Sequence, residues 1–553
     1  MSERSFQLYD TTLRDGSQQE GMVLTVDDKL AVARHLDALG VGYIEGGWPG
    51  AVPRDTEFFR RARTELDLEH AELVAFGATR RPGAAVSGDP QVRALLAAET
   101  PVVTLVAKSH TGHVHHALRT TLAENLAMIG STVRHLVSAG RRVFLDAEHY
   151  FDGYRLNREY ALEAVRIAAE AGAETIVLCD TNGGCLPDEI GTVVADTIAA
   201  TGASVGIHCH DDTGCAVANT MAAVDAGAVH VQGTAHGYGE RCGNANLFTV
   251  LGNLALKRGR EVADPALLGS LAATARTITE LTGVPSDPSA PYVGVSAFTH
   301  KAGLHASALR IDPDLYQHID PERVGNTMRT LVSDVGGRSS IELKARELGY
   351  TVDAGSAQSA RAAARVKELE SRGYSFESAD ASFELLLREE LAGSTPAPPF
   401  EVDSWQVSVV RRPDGEVRTE AGVRLNVDGV PLAATGRGNG PVNALDTALH
   451  RALDPYFPQL ARLELVDYRV RVLSGETGSG AAARVLAQFR DGDRRWGTVG
   501  VDENTVTASW RALLDAVHYV LLDDVRTDGR RPFLQERGEP RDRARRTCTA
   551  QPA

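Results

Sequence analysis

Cysteine is scarce in this chain of 553 residues, and its six positions, Cys179, Cys185, Cys209, Cys215, Cys242 and Cys548, include no Cys-x-x-Cys pair. Five of the six fall in segments that read as core or active-site loops, so reduced thiols in a cytosolic enzyme are expected rather than a disulfide framework. Long apolar runs are missing too: none approaches the roughly 18 residues of a membrane-spanning helix. Residues 1–10 lack the apolar core of a signal peptide and pass straight into strand-like sequence, which points to the cytoplasm and to no membrane partner. A basic surplus is also absent, since 58 Lys and Arg face 73 Asp and Glu for a net charge of −15. Phosphate backbones require a basic face, so nucleic acid is excluded as a main partner and small molecules are expected instead. Finally, no Gly-x-Gly-x-x-Gly turn follows the first strand, which argues against a dinucleotide-binding sheet.

What is present is ordinary globular composition, 43% hydrophobic and 24% charged, on a chain long enough for about two to four domains. Over the first 260 or so residues one unit recurs: a short apolar run, a polar loop, then a helical pattern. Runs at 6–10, 41–47, 73–77, 101–107, 142–148, 175–180, 204–208 and 229–234 supply eight strands. Amphipathic stretches at 26–39, 118–139, 159–171, 187–201 and 216–226 carry apolar residues at helical spacing, and Gly40, Gly140, Gly172 and Gly227 stand where C-caps are expected. Eight strand–helix units predict a TIM barrel, with an open doubly wound sheet as the alternative.

A barrel puts its chemistry where strands end. Arg14 and Asp15 follow the first strand, Glu45 lies on the second, Asp146, Glu148 and His149 close the fifth, Asp180 and Thr181 the sixth, and Gly239-Glu-Arg-Cys-Gly-Asn244 follows the eighth. His208 and His210 end the seventh; at i and i+2 of a strand they face one side and can offer two imidazoles to one ion. The pair alone does not choose a metal, needs a third ligand, and has the alternative of two histidines at a strand end by chance. Asp and Asn also favour turns and helix starts, so the weight lies in the convergence of these groups on one rim.

Asp10-Thr-Thr-Leu-Arg-Asp-Gly16, His208-x-His210 and Gly239-Glu-Arg-Cys-Gly-Asn244 together resemble the metal-dependent TIM-barrel acyltransferases and lyases (the DRE-TIM metallolyases) that include isopropylmalate, homocitrate and citramalate synthases. Glu45-Gly-Gly-Trp-Pro-Gly50, Asp146-Ala-Glu-His-Tyr-Phe-Asp-Gly153, Leu178-Cys-Asp-Thr-Asn-Gly-Gly184 and His300-Lys-Ala-Gly-Leu-His305 are most similar to the citramalate synthase branch, and the resemblance runs from Phe6 to about Leu522. It implies condensation of acetyl-CoA with pyruvate to (R)-citramalate, on the route to isoleucine. It also implies a divalent metal (Mn, Mg, Zn or Co) held by Asp15, His208 and His210, with Asn244 completing the site. Arg14 would hydrogen-bond the keto oxygen and Thr181 the carboxylate. Glu148 and His305 would be the candidate bases for the acetyl methyl group, assisted by Tyr316. The family is dimeric, and its matching His and Tyr are expected to act on the neighbouring barrel.

Two positions depart from the family pattern. Asp211 stands where Asn is common, and His236 where Asn precedes the Gly-Tyr-Gly-Glu-Arg run; they either shift metal or acceptor preference or are tolerated changes behind the ligands. Trp48 and Pro49 either narrow the pocket towards pyruvate or pack a loop.

The expected organisation is a catalytic barrel at 1–265, helical linker subdomains at 266–392 that carry His305 and Tyr316, a Pro-rich linker at 391–399, an α+β regulatory and dimerisation domain at 400–525 built from two similar halves, and a disordered tail at 526–553 poor in apolar residues. By the same resemblance the C-terminal domain binds a branched-chain amino acid, with isoleucine the expected feedback inhibitor of a homodimer. Two alternatives stand beside this reading: condensation with another 2-oxo acid, as in isopropylmalate or homocitrate synthases, and a catalytically inactive amino-acid-sensing protein.

Overall fold

The computed structural model describes residues 6–262, 265–392, 398–473, 480–492 and 494–527; most of the expected linker at 391–399, and the expected tail from residue 528 on, lie outside the described residues. Two compact units result, residues 1–298 with 317–328, and residues 299–316 with 329–553.

In the first unit eight parallel strands, β1 (Gln7–Asp10), β2 (Tyr43–Gly47), β3 (Glu72–Ala78), β4 (Val102–Lys108), β5 (Arg142–Glu148), β6 (Thr175–Asp180), β7 (Val205–Cys209) and β8 (His230–Gly233), close into a barrel, β1 pairing with both β2 and β8. The expected TIM barrel is therefore present. Its strands are buried on both faces, which is why β6 is buried at every residue and reads as a continuous apolar run rather than an alternation. Around it run α1 (Val26–Ala38), α2 (Pro53–Glu65), α3 (Pro90–Ala97), α4 (Thr111–His116), α5 (Leu122–Ser138), α6 (Tyr150–Leu156), α7 (Arg158–Glu170), α8 (Pro187–Thr201), α9 (Ala216–Asp225) and α10 (Leu247–Lys257). The helix expected over 118–139 begins only at Leu122, because the Thr121 hydroxyl accepts from the Glu124 N–H at 3.1 Å and caps it there.

Tyr9, Tyr43, Val74, Val102 and Phe144 form an aromatic plug inside the barrel, with the His230 ring 5.0 Å from Phe144. Above the plug the interior turns polar. Tyr9 donates its hydroxyl to Glu45 Oε2 at 2.6 Å and lies 2.7 Å from Thr104 Oγ1. This buried layer is the floor of the site.

The second unit begins with helices Gly303–Leu309, Arg338–Glu347, Ala357–Ser371 and Asp380–Ala392, plus a two-stranded patch of Thr299–His300 with Arg329–Thr330. Two three-stranded antiparallel meanders follow, Glu401–Arg411 with Val417–Val427 and Val430–Gly438, then Glu464–Val472 with Ala483–Asp491 and Arg494–Asp502, each leading to a helix, Pro441–Leu453 and Thr505–Thr527. Both halves share one core, in which the rings of Trp405 and Trp510 lie 5.7 Å apart. The sequence reading missed Glu401–Arg411 because that strand is largely exposed. No helix among the described residues is long and apolar enough to cross a membrane.

Candidate active site and metal centre

Asp15 sits just past β1, His208 on β7 and His210 just beyond it; one ligand atom from each lies within 4.8 Å of the others, and all three side chains are buried. His208 Nε2 is 3.2 Å and His210 Nε2 3.8 Å from Asp15 Oδ2. The pleat explains the pairing: His208 and His210 share a side, while Cys209 between them joins the apolar core. On the far side of the His208 ring, Nδ1 lies 2.9 Å from Gln232 Oε1, and Gln232 donates in turn to Asp146 Oδ1 at 3.0 Å. An amide oxygen only accepts, so Nδ1 carries the proton and Nε2 is left as the donor atom facing Asp15.

Asn244 pairs with His210 as an isolated backbone bridge. Its Nδ2 donates to the Tyr238 carbonyl at 2.9 Å, which leaves Oδ1 buried without a partner. Gly239 makes this approach possible: with φ at +153°, its backbone carries no Cβ, and one placed there would lie 2.3 Å from Asn244 Nδ2. Burial pushes the His210 imidazole down to about 4, helped by neighbouring His208, so its lone pair is free at neutral pH. Burial raises the Asp15 carboxyl, but Arg14, His208 and His210 more than reverse this and hold it well below the usual carboxylate range. An anionic carboxylate, two imidazoles and an orphaned carbonyl oxygen fit a divalent cation.

Asp15, His208 and His210 face a cavity of about 450 Å³ at the C-terminal mouth of the barrel, into which Arg14, Glu148 and Thr181 also project. Arg14 Nε donates to Glu45 Oε1 at 2.5 Å, and its guanidinium carbon stands 3.8 Å over the Phe76 ring. Thr181 Oγ1 accepts from the His149 N–H at 2.9 Å, so its own proton is directed elsewhere. Lys108 at the end of β4 pairs with Glu148. Trp48 forms part of the wall, edge-on to Phe76 at 5.2 Å. A buried ion pair holds its loop: Lys29 Nζ bonds Asp55 Oδ1 at 2.5 Å and the Gly46 carbonyl at 2.9 Å, while Asp55 Oδ2 accepts from the Trp48 N–H at 2.9 Å. Pro49 is a loop residue whose carbonyl accepts from Gln91.

Neither departure from the family pattern turns towards the ligands. Asp211 Oδ1 accepts from the Ala216 N–H at 2.8 Å and caps α9. His236 Nε2 lies 2.9 Å from the Ala275 carbonyl and 3.0 Å from Thr279 Oγ1, with its ring against Phe248. Lys108 and Gln232 were absent from the sequence-based set; the available signals were one charged residue closing β4 and the His230-x-Gln232 polar pair on buried β8. His305 and Tyr316 belong to the second unit, where their rings stack at 4.1 Å.

A closed barrel with an Asp-His-His cluster, a fixed arginine and a carboxylate at its C-terminal mouth defines a metal-dependent TIM-barrel enzyme. Accordingly, residues 5–278 match the HMGL-like family, 292–373 the homocitrate synthase post-HMGL domain-like family and 377–521 the LeuA allosteric (dimerisation) domain. The chain is 60% identical to (R)-citramalate synthase of Streptomyces coelicolor, over 94% of this chain and 97% of that one. It is 47% identical to the (R)-citramalate synthase of Aquifex aeolicus, over 95% and 99%, and 33% identical to a probable 2-isopropylmalate synthase of Methanopyrus kandleri, over 92% and 97%. The chain belongs to the (R)-citramalate synthase family.

Proposed function

We propose that this chain condenses acetyl-CoA with pyruvate and water to give (R)-citramalate and CoA. One observation carries the reading: Arg14, Asp15, Thr181, His208 and His210 converge on a single cavity with donors suited to the carboxylate and keto oxygen of a 2-oxo acid. Membership in the citramalate synthase family supports pyruvate as that acid.

Asp15, His208, His210 and Asn244 would hold a divalent metal, which when bound supplies Lewis acidity towards the keto oxygen. Arg14, fixed along one edge by Glu45, offers its remaining N–H groups to that oxygen as negative charge builds; such contacts are worth about 3 kcal/mol. Thr181 donates to the substrate carboxylate, since its oxygen already accepts from His149. A base then takes a proton from the acetyl methyl group. Glu148 on the cavity wall is one candidate, and to act it must leave its pairing with Lys108. His305, stacked on Tyr316 in the second unit, is the other. The methyl carbon bonds to the keto carbon, the carbonyl electron pair moves to oxygen and is protonated there, and water cleaves the thioester to release CoA.

The LeuA-type domain at 377–521 supports a homodimer, and within this reading its two β-β-β-α halves bind a branched-chain amino acid, isoleucine, as feedback inhibitor of a step towards isoleucine. The reaction is tested by incubating the full-length protein with acetyl-CoA, pyruvate and Mn²⁺. CoA and (R)-citramalate appearing in equal amounts are expected; thioester cleavage without citramalate would overturn the reading.

A further inference from the structure

A second group of potential metal ligands lies beside the cavity, made by His113 on α4, Glu148 at the end of β5, and His149. One ligand atom from each lies within 4.8 Å of the others. The two imidazole rings are 4.1 Å apart, inclined at 40°.

The backbone at His149 explains how the cluster arises. Its φ of 55° and ψ of 38° are left-handed, a conformation a non-glycine residue adopts rarely and at some cost, and one concentrated at functional sites. That turn lets consecutive side chains serve different spaces. Glu148 faces the main cavity, whereas His149 opens on a second cavity of about 430 Å³ shared with His110, His113, Asp152 and Asn182. His149 Nδ1 is buried without a hydrogen-bond partner, with Asp152 Oδ2 3.8 Å away. Burial lowers the basicity of both His113 and His149, with His110 and Lys108 adding to the effect at His113 and His113 and Lys108 at His149.

Two imidazoles and one carboxylate form a donor set suited to Zn²⁺ and its neighbours rather than to Mg²⁺ or Ca²⁺, which favour oxygen. We propose that His113, His149 and Glu148 form a second, transition-metal site separate from Asp15, His208 and His210, and that Zn²⁺ bound there withdraws Glu148 from the condensation. Lys108 contacts Oε2 of the same carboxylate, so the metal competes with an ammonium for Glu148, and the site fills and empties with zinc supply. The inhibitory half of the proposal rests on the assignment of Glu148 as base; the binding half does not.

The test counts zinc on the full-length protein after equilibrium dialysis, beside the rate of CoA release. Wild type should bind two equivalents. H113N and E148Q, on different elements, should each bind one, and so should H208A, which spares the second site. With Mn²⁺ present, zinc should slow wild type by about 100-fold, the scale of losing a general base, and slow H113N less than about twofold. A single equivalent on wild type, or two on folded H113N and E148Q, would overturn the site. Two equivalents with no slowing would overturn the inhibition alone. A protein without condensing activity still yields the zinc count, so failure of the proposed reaction is told apart from failure of the site.

Discussion

Arg14 donates from Nε to Glu45 Oε1 at 2.5 Å, and Glu45 is held from its other oxygen by the Tyr9 hydroxyl at 2.6 Å. The guanidinium thus has one edge tied to a buried anion and Nη1 3.6 Å from Asp15 Oδ2 beside the cavity, with Phe76 packed beneath it. Its orientation is set before substrate arrives, which is what makes a donor effective towards charge that develops only in the transition state. E45Q keeps the shape and removes the anion. We expect kcat to fall about ten- to a hundredfold with a smaller change in KM; steady-state CoA release checks this, and a kcat within twofold of wild type would contradict it.

Gln232 acts through His208. By accepting from Nδ1 and donating to Asp146, it fixes which nitrogen faces Asp15. Q232L should weaken Mn²⁺ binding by about 10- to 100-fold, the scale found for residues that orient a ligand histidine. Calorimetric titration reads the change, and unaltered affinity in a folded Q232L would refute this role.

Trp48 lines the cavity edge-on to Phe76, and the Lys29–Asp55 pair keeps its loop in place. W48A should shift preference from pyruvate towards 2-oxobutyrate. One methylene is worth about 1–3 kcal/mol of discrimination, so the ratio of the two kcat/KM values should move by about tenfold or more. A ratio that stays fixed would show that the acceptor is sized elsewhere.

Asp515 in the second unit carries a pH signature. Burial pushes its carboxyl up to about 7, and Ser382 Oγ donates to it at 2.5 Å. An unfolded carboxyl titrates near about 3.9, so between these values the folded state binds the proton more tightly. Stability from this group is present at low pH and is lost as pH rises through about 7, by at most about 1.4 kcal/mol per pH unit. D515N mimics the protonated form; its advantage in Tm over wild type should grow from about pH 4 and level off above about pH 7. The difference is the quantity to read, because buried His518, held down to about 4, acts in the opposite direction. An advantage independent of pH would contradict the assignment.

The barrel was legible because strands buried on both faces leave continuous apolar runs, and the metal cluster because His208 and His210 stand at the spacing that shares a strand face. The direction of a side chain past the strand end was not. Asp211 directly follows His210 and His236 lies eight residues before Asn244, yet one caps a helix and the other packs on Phe248; only the local turn decides this. Lys108 and Gln232 escaped for a related reason: Lys108 is a lone charge at the end of β4, and Gln232 stands at i+2 from His230, a spacing that names no partner on another strand. In the second unit, Glu401–Arg411 lies along a sheet edge with most of its residues exposed, so it shows little of the apolar alternation that marks a half-buried strand.

Pyruvate is the 2-oxo acid expected to fill the cavity bounded by Trp48, Arg14 and Thr181. This expectation is tested most directly by measuring kcat/KM for pyruvate, 2-oxobutyrate, 2-oxoisovalerate and 2-oxoglutarate on the full-length protein with acetyl-CoA and a divalent metal. Pyruvate should lead, with the larger acids falling away in order of size; a higher kcat/KM for 2-oxoisovalerate or 2-oxoglutarate would contradict the account.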